Sequence, residues 1–139
     1  GFGAEAARIA RDISGAASHF LSNQLPELYT TIERDETSFP VQYLGANIPQ
    51  AWAAGSVFAL MQAMLGFVPN APRGKLHVDP SLPAWLPDLT VFDLRVGTHR
   101  FDIRFWRDGE KTQFEVLKGD PTAVERRSFG AQFAQAALS

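Results

Sequence analysis

Cysteine is absent from the 139 residues, so neither a disulfide framework nor a thiolate zinc site organises this chain, and a reducing compartment suits it. Histidine is scarce. His19, His77 and His99 share no short ligand spacing and read as satisfied or surface side chains, so no metal and no cofactor is expected. An excess of one charge is also lacking: 13 Lys and Arg against 15 Asp and Glu leave a formal net charge of −2, and the cations form no stripe. Such a chain has no field to gather nucleic acid or an anionic membrane surface. No Asn opens a glycosylation sequon, Ser56 has no Gly-x-Ser-x-Gly elbow around it, and Gly1-Phe2-Gly3 lacks the rest of a dinucleotide fingerprint. The most apolar run, 51–68, is interrupted by Gly55, Ser56 and Gln62 and is short for a membrane span. The N-terminus has no basic start and no apolar middle of a signal peptide. A cytoplasmic chain without nucleic-acid or membrane partners is the expectation.

What remains is the composition of a folded protein, 45% hydrophobic and 20% charged, with length for one domain or two small halves. Ala6, Ile9, Ala10, Ile13, Ala17 and Phe20 recur at steps of three and four, predicting an amphipathic helix over 5–21. From 22 to 48 no period holds. Pro26 and Pro40 break helices and 33–38 is polar, so this is a long loop of the kind that tends to carry function. Asn47 as N-cap, Pro49 near the first turn and Gly66 as the stop bracket a second helix over 49–65. That helix is apolar on nearly every side, which predicts burial, either under the β half as well or among helices this chain lacks; because it wants more neighbours than the chain offers, exposed apolar surface or homo-oligomers are expected.

After Gly66 comes a turn-rich connector, then a strand over 75–78, then Pro80, Pro83 and Pro87, which exclude regular structure. Three alternating runs follow. Over 89–96, Leu89, Val91, Asp93 and Arg95 are expected on one face and Thr90, Phe92, Leu94 and Val96 on the other. Phe101, Ile103 and Phe105 alternate with Asp102, Arg104 and Trp106, and Phe114 and Val116 repeat the pattern in the third run. Gly97-Thr98 and Asp108-Gly109 supply the turns. The expected class is α+β, with N-terminal helices followed by an antiparallel β meander. Asp102, Asp108, Glu110 and Glu115 are expected on its solvated face, and Trp85 and Trp106 in core or interface. Phe129, Phe133 and Ala136 or Ala137 have the spacing of a final helix.

The loop between the helices carries the one constellation that invites a mechanism: Leu25-Pro26-Glu27-Leu28-Tyr29, then Phe39-Pro40-Val41-Gln42-Tyr43, then Pro49-Gln50-Ala51-Trp52. A carboxylate held by Pro26 between leucines suits proton transfer, aromatics stack on sugar rings, and Gln50 suits hydroxyls. The plainer account has Glu27 capping or pairing with a neighbour, Tyr29 and Tyr43 covering apolar surface, and Trp52 in the core.

Pro26-Glu27-Leu28 together with Pro49-Gln50-Ala51-Trp52 at the head of an apolar helix resembles the last stretch of the amylo-α-1,6-glucosidase and glycogen-debranching group of glycoside hydrolases. The likeness continues through Leu65-Gly66, Pro83-Ala84-Trp85-Leu86 and Leu94-Arg95-Val96-Gly97, covering roughly residues 1–118. It implies that 1–68 are the last helices of an (α/α)6 toroid and that 69–119 are a small β segment; 120–139, beyond the likeness, read from their own pattern as a C-terminal tail, either a marginal helix or ordered on contact. It also implies an oligo- or polysaccharide substrate, with Glu27 as the general base and Tyr43, Gln50 and Trp52 as substrate-binding or supporting residues. The general acid of the family lies on an earlier helix pair, so the upstream part of a parent chain is the implied partner. Such an enzyme inverts the anomeric carbon and needs its two carboxyl groups about 6.5–9.5 Å apart. Tyr29-Thr30-Thr31-Ile32 and Asn47-Ile48 depart from the family's usual segments at those places, which leaves the sugar open. The alternative of another class is a non-catalytic module that binds carbohydrate or mediates assembly through its β meander.

Overall fold

A computed structural model describes residues 3–33, 35 and 38–128. Among them the chain is α+β: helices α1 (Gly3–Ala17) and α2 (Ala51–Leu65) precede six strands. Compact packing divides it into two units, one of them Glu5–Met61 and the other the described residues from Gln62 on together with Gly3 and Ala4, so the division falls inside α2.

In the first unit α1 buries Ala7, Ala10 and Ala16. The helix ends at Ala17, before the expected 21, for a local reason. The Ser18 hydroxyl donates to the Gly15 carbonyl at 2.7 Å, and Ser22 and Asn23 then turn left-handed, with φ of 54° and 55°. The long loop folds back on itself as expected of a segment without a period. Its two legs, 26–30 and 41–47, are tied by backbone bonds in which the Glu27, Thr30 and Tyr43 amides donate to the carbonyls of Asn47, Val41 and Leu28, each at 2.9 Å.

Helix α2 begins at Ala51. Asn47 is not its cap, because the Asn47 side chain is spent on Glu27. Gln50 serves instead: its carbonyl accepts the Ala54 amide at 3.0 Å and its Oε1 accepts the Ala51 amide at 2.9 Å. The apolar surface of α2 is not covered. Only Met64 and Leu65 are buried, while Trp52 is 63% exposed and Phe58 69%. The exit at Gly66 is left-handed, φ +60°, and so tight that an added Cβ would stand 2.6 Å from the Asp79 carbonyl. There Asp79 and Ser81 donate their amides to the Leu65 and Met64 carbonyls at 3.2 and 2.7 Å.

The second unit holds two three-stranded sheets. One is the expected meander, β3 (Asp88–Val96), β4 (His99–Asp108) and β5 (Lys111–Lys118), all antiparallel. The other joins β1 (Val68–Asn70) antiparallel to β2 (Lys75–Val78), and β2 parallel to β6 (Val124–Arg126). Of this second sheet only β2 is legible in local pattern, since three-residue strands carry no period. Residues 124–126 are therefore strand, not tail; the expected final helix lies outside the described residues.

Phe101, Ile103 and Phe105 are fully buried, as their alternation requires, and share one core with Leu65, Leu76, Val78, Leu82, Val96 and Val124. The expected faces of β3 need correction. Leu89 and Val91 pack on this core, but so do Leu94 and Val96. A bulge between Val91 and Leu94, with Asp93 at φ +52°, shifts the phase and leaves Phe92 71% exposed. The shift is held by the Asp102 carboxylate, which accepts the Asp93 amide at 2.8 Å, and by the Arg100–Asp93 ion pair. Asp102 thus has a structural partner on the face expected to be only solvated. In the proline-rich connector the anchor is Leu82, fully buried, whose amide donates to Thr112 Oγ1 at 2.8 Å and whose carbonyl accepts from Arg107 at 2.6 Å; Trp85 stays partly exposed.

Candidate functional site

Glu27 sits on the first leg of the loop, immediately after the buried pair Leu25 and Pro26. Its carboxylate is held by one residue of the second leg: Asn47 donates its side-chain amide to Glu27 Oε2 at 3.0 Å and its backbone amide to the same oxygen at 3.3 Å. Added to the Glu27 amide bond to the Asn47 carbonyl at 2.9 Å, these contacts fix both backbone and head group. Both donors sit on one oxygen, Oε2.

This side chain lines a cavity of about 250 Å³ together with Ile13 of α1, Tyr29 of the loop and Trp52, Ala53 and Ser56 of α2. The local reasons are simple. Glu27 and Tyr29 are two apart on an extended leg and so face one way. Trp52, Ala53 and Ser56 lie within one turn of helix. Glu27 is the single acid among the described lining residues.

Of the residues expected at the site, Glu27 and Trp52 come together here. Tyr43 and Gln50 do not line this cavity: Tyr43 is 57% exposed, and the Gln50 side chain is turned onto the Ala51 amide. Sequence reasoning placed Tyr29 in the same constellation but missed Ile13 and Ser56 of the wall and the role of Asn47. The two-residue spacing of Glu27 and Tyr29 is the signal that points to the first; nothing local announces a bond across twenty residues.

Among the described residues no group of three or more His, Asp or Glu is placed to hold a metal ion, and no helix is long and apolar enough to cross a membrane. Elsewhere the perturbed acids are structural. The Arg100 guanidinium lowers the Asp93 carboxyl, the Thr122 hydroxyl and amide lower Asp120, and the Lys75 ammonium lowers Glu125. On the outer face of the meander Trp106 stands between Asp88 and Gln113, its cross-strand neighbours, with the Arg104 guanidinium 5.6 Å from its ring.

Compared with protein-family models, with curated proteins and with solved structures, the chain gives no match.

Proposed function

We propose that this chain is the C-terminal piece of an α-glucan-directed glycoside hydrolase of the amylo-α-1,6-glucosidase type, with Glu27 as the base that activates water. One observation carries the reading: Glu27, whose carboxylate Asn47 holds, lines the same cavity as Trp52 and Tyr29. Aromatic faces beside a fixed carboxylate suit a sugar whose anomeric carbon is to be attacked by water. The uncovered surface of α2, from Trp52 to Phe58, supports the companion inference that further helices of a parent chain complete the ring. Tyr43 and Gln50 keep at most supporting roles, Gln50 through the start of α2.

Inversion requires a second carboxyl group opposite the base, and the Glu27 cavity has none among its described lining residues. The purified chain alone therefore gives no turnover of malto- or isomalto-oligosaccharides. In a parent protein carrying the upstream helices, Glu27→Gln lowers kcat by about 10²–10⁴, the usual contribution of a general base, with KM little changed. Turnover that persists undiminished through this substitution removes Glu27 from the role.

The runner-up, a carbohydrate-binding module without catalysis, is favoured by Trp106, a half-buried ring on the outer sheet face beside Asp88 and Gln113. Glycan affinity that disappears in Trp106→Ala and is untouched in Trp52→Ala supports it over the first reading.

A further inference from the structure

The meander carries two bulges, and they fall at the same level. On one side of β4 the register breaks between Val91 and Leu94, so Phe92 and Asp93 stand opposite the single residue Asp102. On the other side Ile103 pairs with Val116 and Asp102 with Lys118, which leaves Leu117 as the extra residue of β5. A bulge re-aims the side chains beside it. Here Val91, Leu94 and Val116 stay on the core while Phe92 and Leu117 are turned out, 71% and 51% exposed. No other large apolar side chain described in the second unit is as exposed. The two flank β4, so they lie about two strand spacings apart, roughly 10 Å.

The charge beside this apolar pair is unbalanced. Both carboxylates there are occupied: Asp93 is paired with Arg100, and Asp102 accepts the Asp93 amide at 2.8 Å. Arg95 stands opposite Arg100, and Lys118 opposite Asp102. Both add their charge to the field at Asp93, yet among the described residues neither forms an ion pair. On a chain of net charge −2, two uncommitted cations next to exposed apolar side chains make a local surface that attracts carboxylates. A neutral glucan brings no charge for Arg95 and Lys118 to meet, and a polyphosphate brings no aliphatic surface for Leu117.

We propose that the bulged outer face of the meander is a docking surface for an acidic segment of a partner protein, whose apolar side chains lie on Phe92 and Leu117 and whose carboxylates meet Arg95 and Lys118. The surface uses no residue of the Glu27 cavity and does not depend on the glycosidase reading. The coincidence of the bulges is what builds it: without them strict alternation leaves only one residue of β3 and one of β5 facing Asp102.

The test is an amide chemical-shift titration of the ¹⁵N-labelled chain with three synthetic peptides. One is acetyl-Glu-Phe-Asp-Leu-Glu-amide; the second has serine in place of its phenylalanine and leucine, and the third has lysine in place of its acids. The first perturbs the amides of 92–95, 100–102 and 117–118, and the other two bind about tenfold more weakly, having lost the apolar contact or the charge attraction. Phe92→Ser, an exposed change that keeps the fold, lowers affinity for the first peptide about tenfold. Lys118→Glu lowers it about fivefold at low salt, and about 0.5 M NaCl narrows that difference. Undiminished affinity in Phe92→Ser, equal binding of the serine or lysine peptide, shifts confined to other amides, or no response to the first peptide each overturn the proposal.

Discussion

Replacing Gly66 by alanine tests whether the turn that leaves α2 is set by backbone, since the substitution adds one methyl group and removes no contact. Two costs arise. Holding an L-residue at φ +60° costs about 1–2 kcal/mol. The new Cβ, 2.6 Å from the Asp79 carbonyl oxygen and 2.7 Å from its nitrogen, forces that backbone to retreat by roughly 0.8 Å to reach ordinary contact at 3.4 Å. The retreat breaks the Asp79 amide bond to the Leu65 carbonyl, already 3.2 Å long, at about 1 kcal/mol. The sum is about 2–3 kcal/mol. With a urea slope near 2 kcal/mol per molar, the midpoint followed by circular dichroism falls by about 1–1.5 M at unchanged slope. Gly15→Ala is the matched control, because it lies inside α1 with no atom within 4 Å of its added Cβ. It gains about 0.5–1 kcal/mol. A Gly66→Ala midpoint within experimental error of wild type refutes the reasoning, and so does a Gly15→Ala loss as large as that at Gly66.

Three further expectations follow from named contacts. Asp93, Asp120 and Glu125 have carboxyls held below their ordinary values, by Arg100, Thr122 and Lys75 respectively. A depressed folded-state value contributes stability that is fully present above the unfolded range of about 4 and is lost as pH falls through the lower folded value. The second unit therefore loses stability below about pH 4 and is flat from 5 to 7; a urea midpoint that rises on acidification contradicts this. Phe105→Ala, at a fully buried position, costs about 3–5 kcal/mol, whereas Phe92→Ser, on the outward side of the bulge, stays within about 0.5 kcal/mol, both read by chemical denaturation. The exposed rings and side chains of Trp52, Val57 and Phe58 bind a hydrophobic fluorescent dye or drive concentration-dependent association in sedimentation, and a dye-silent monomer at all concentrations contradicts the uncovered helix face.

The β meander was the most legible element. Strict two-residue alternation in 101–105 has one solution when one face is buried, and the glycine-containing turns at Gly97 and Gly109 have the positive φ values, 61° and 62°, that end those strands. The phase of β3 was not legible beyond Val91. A bulge leaves no mark in a hydrophobic pattern, and this one is held by Arg100 and Asp102, residues of the neighbouring strand. Strands β1 and β6 escaped for a related reason: three residues are too few for a period, and both pair with β2, which for Val124 and Arg126 means partners Leu76 and Val78 far back in the chain.

At the candidate site, the sequence alone selected Glu27 and Trp52 by residue type and motif, because the chemistry of a carboxylate and an indole belongs to the side chain wherever it is placed. Which neighbours they meet was decided only in three dimensions. Asn47 exchanged the expected helix cap for the Glu27 carboxylate, Gln50 turned to cap α2 in its place, and Tyr29, not Tyr43, became a wall of the cavity. The physical reason is that hydrogen bonds between the legs of a folded-back loop depend on where the chain returns, and no local propensity carries that information.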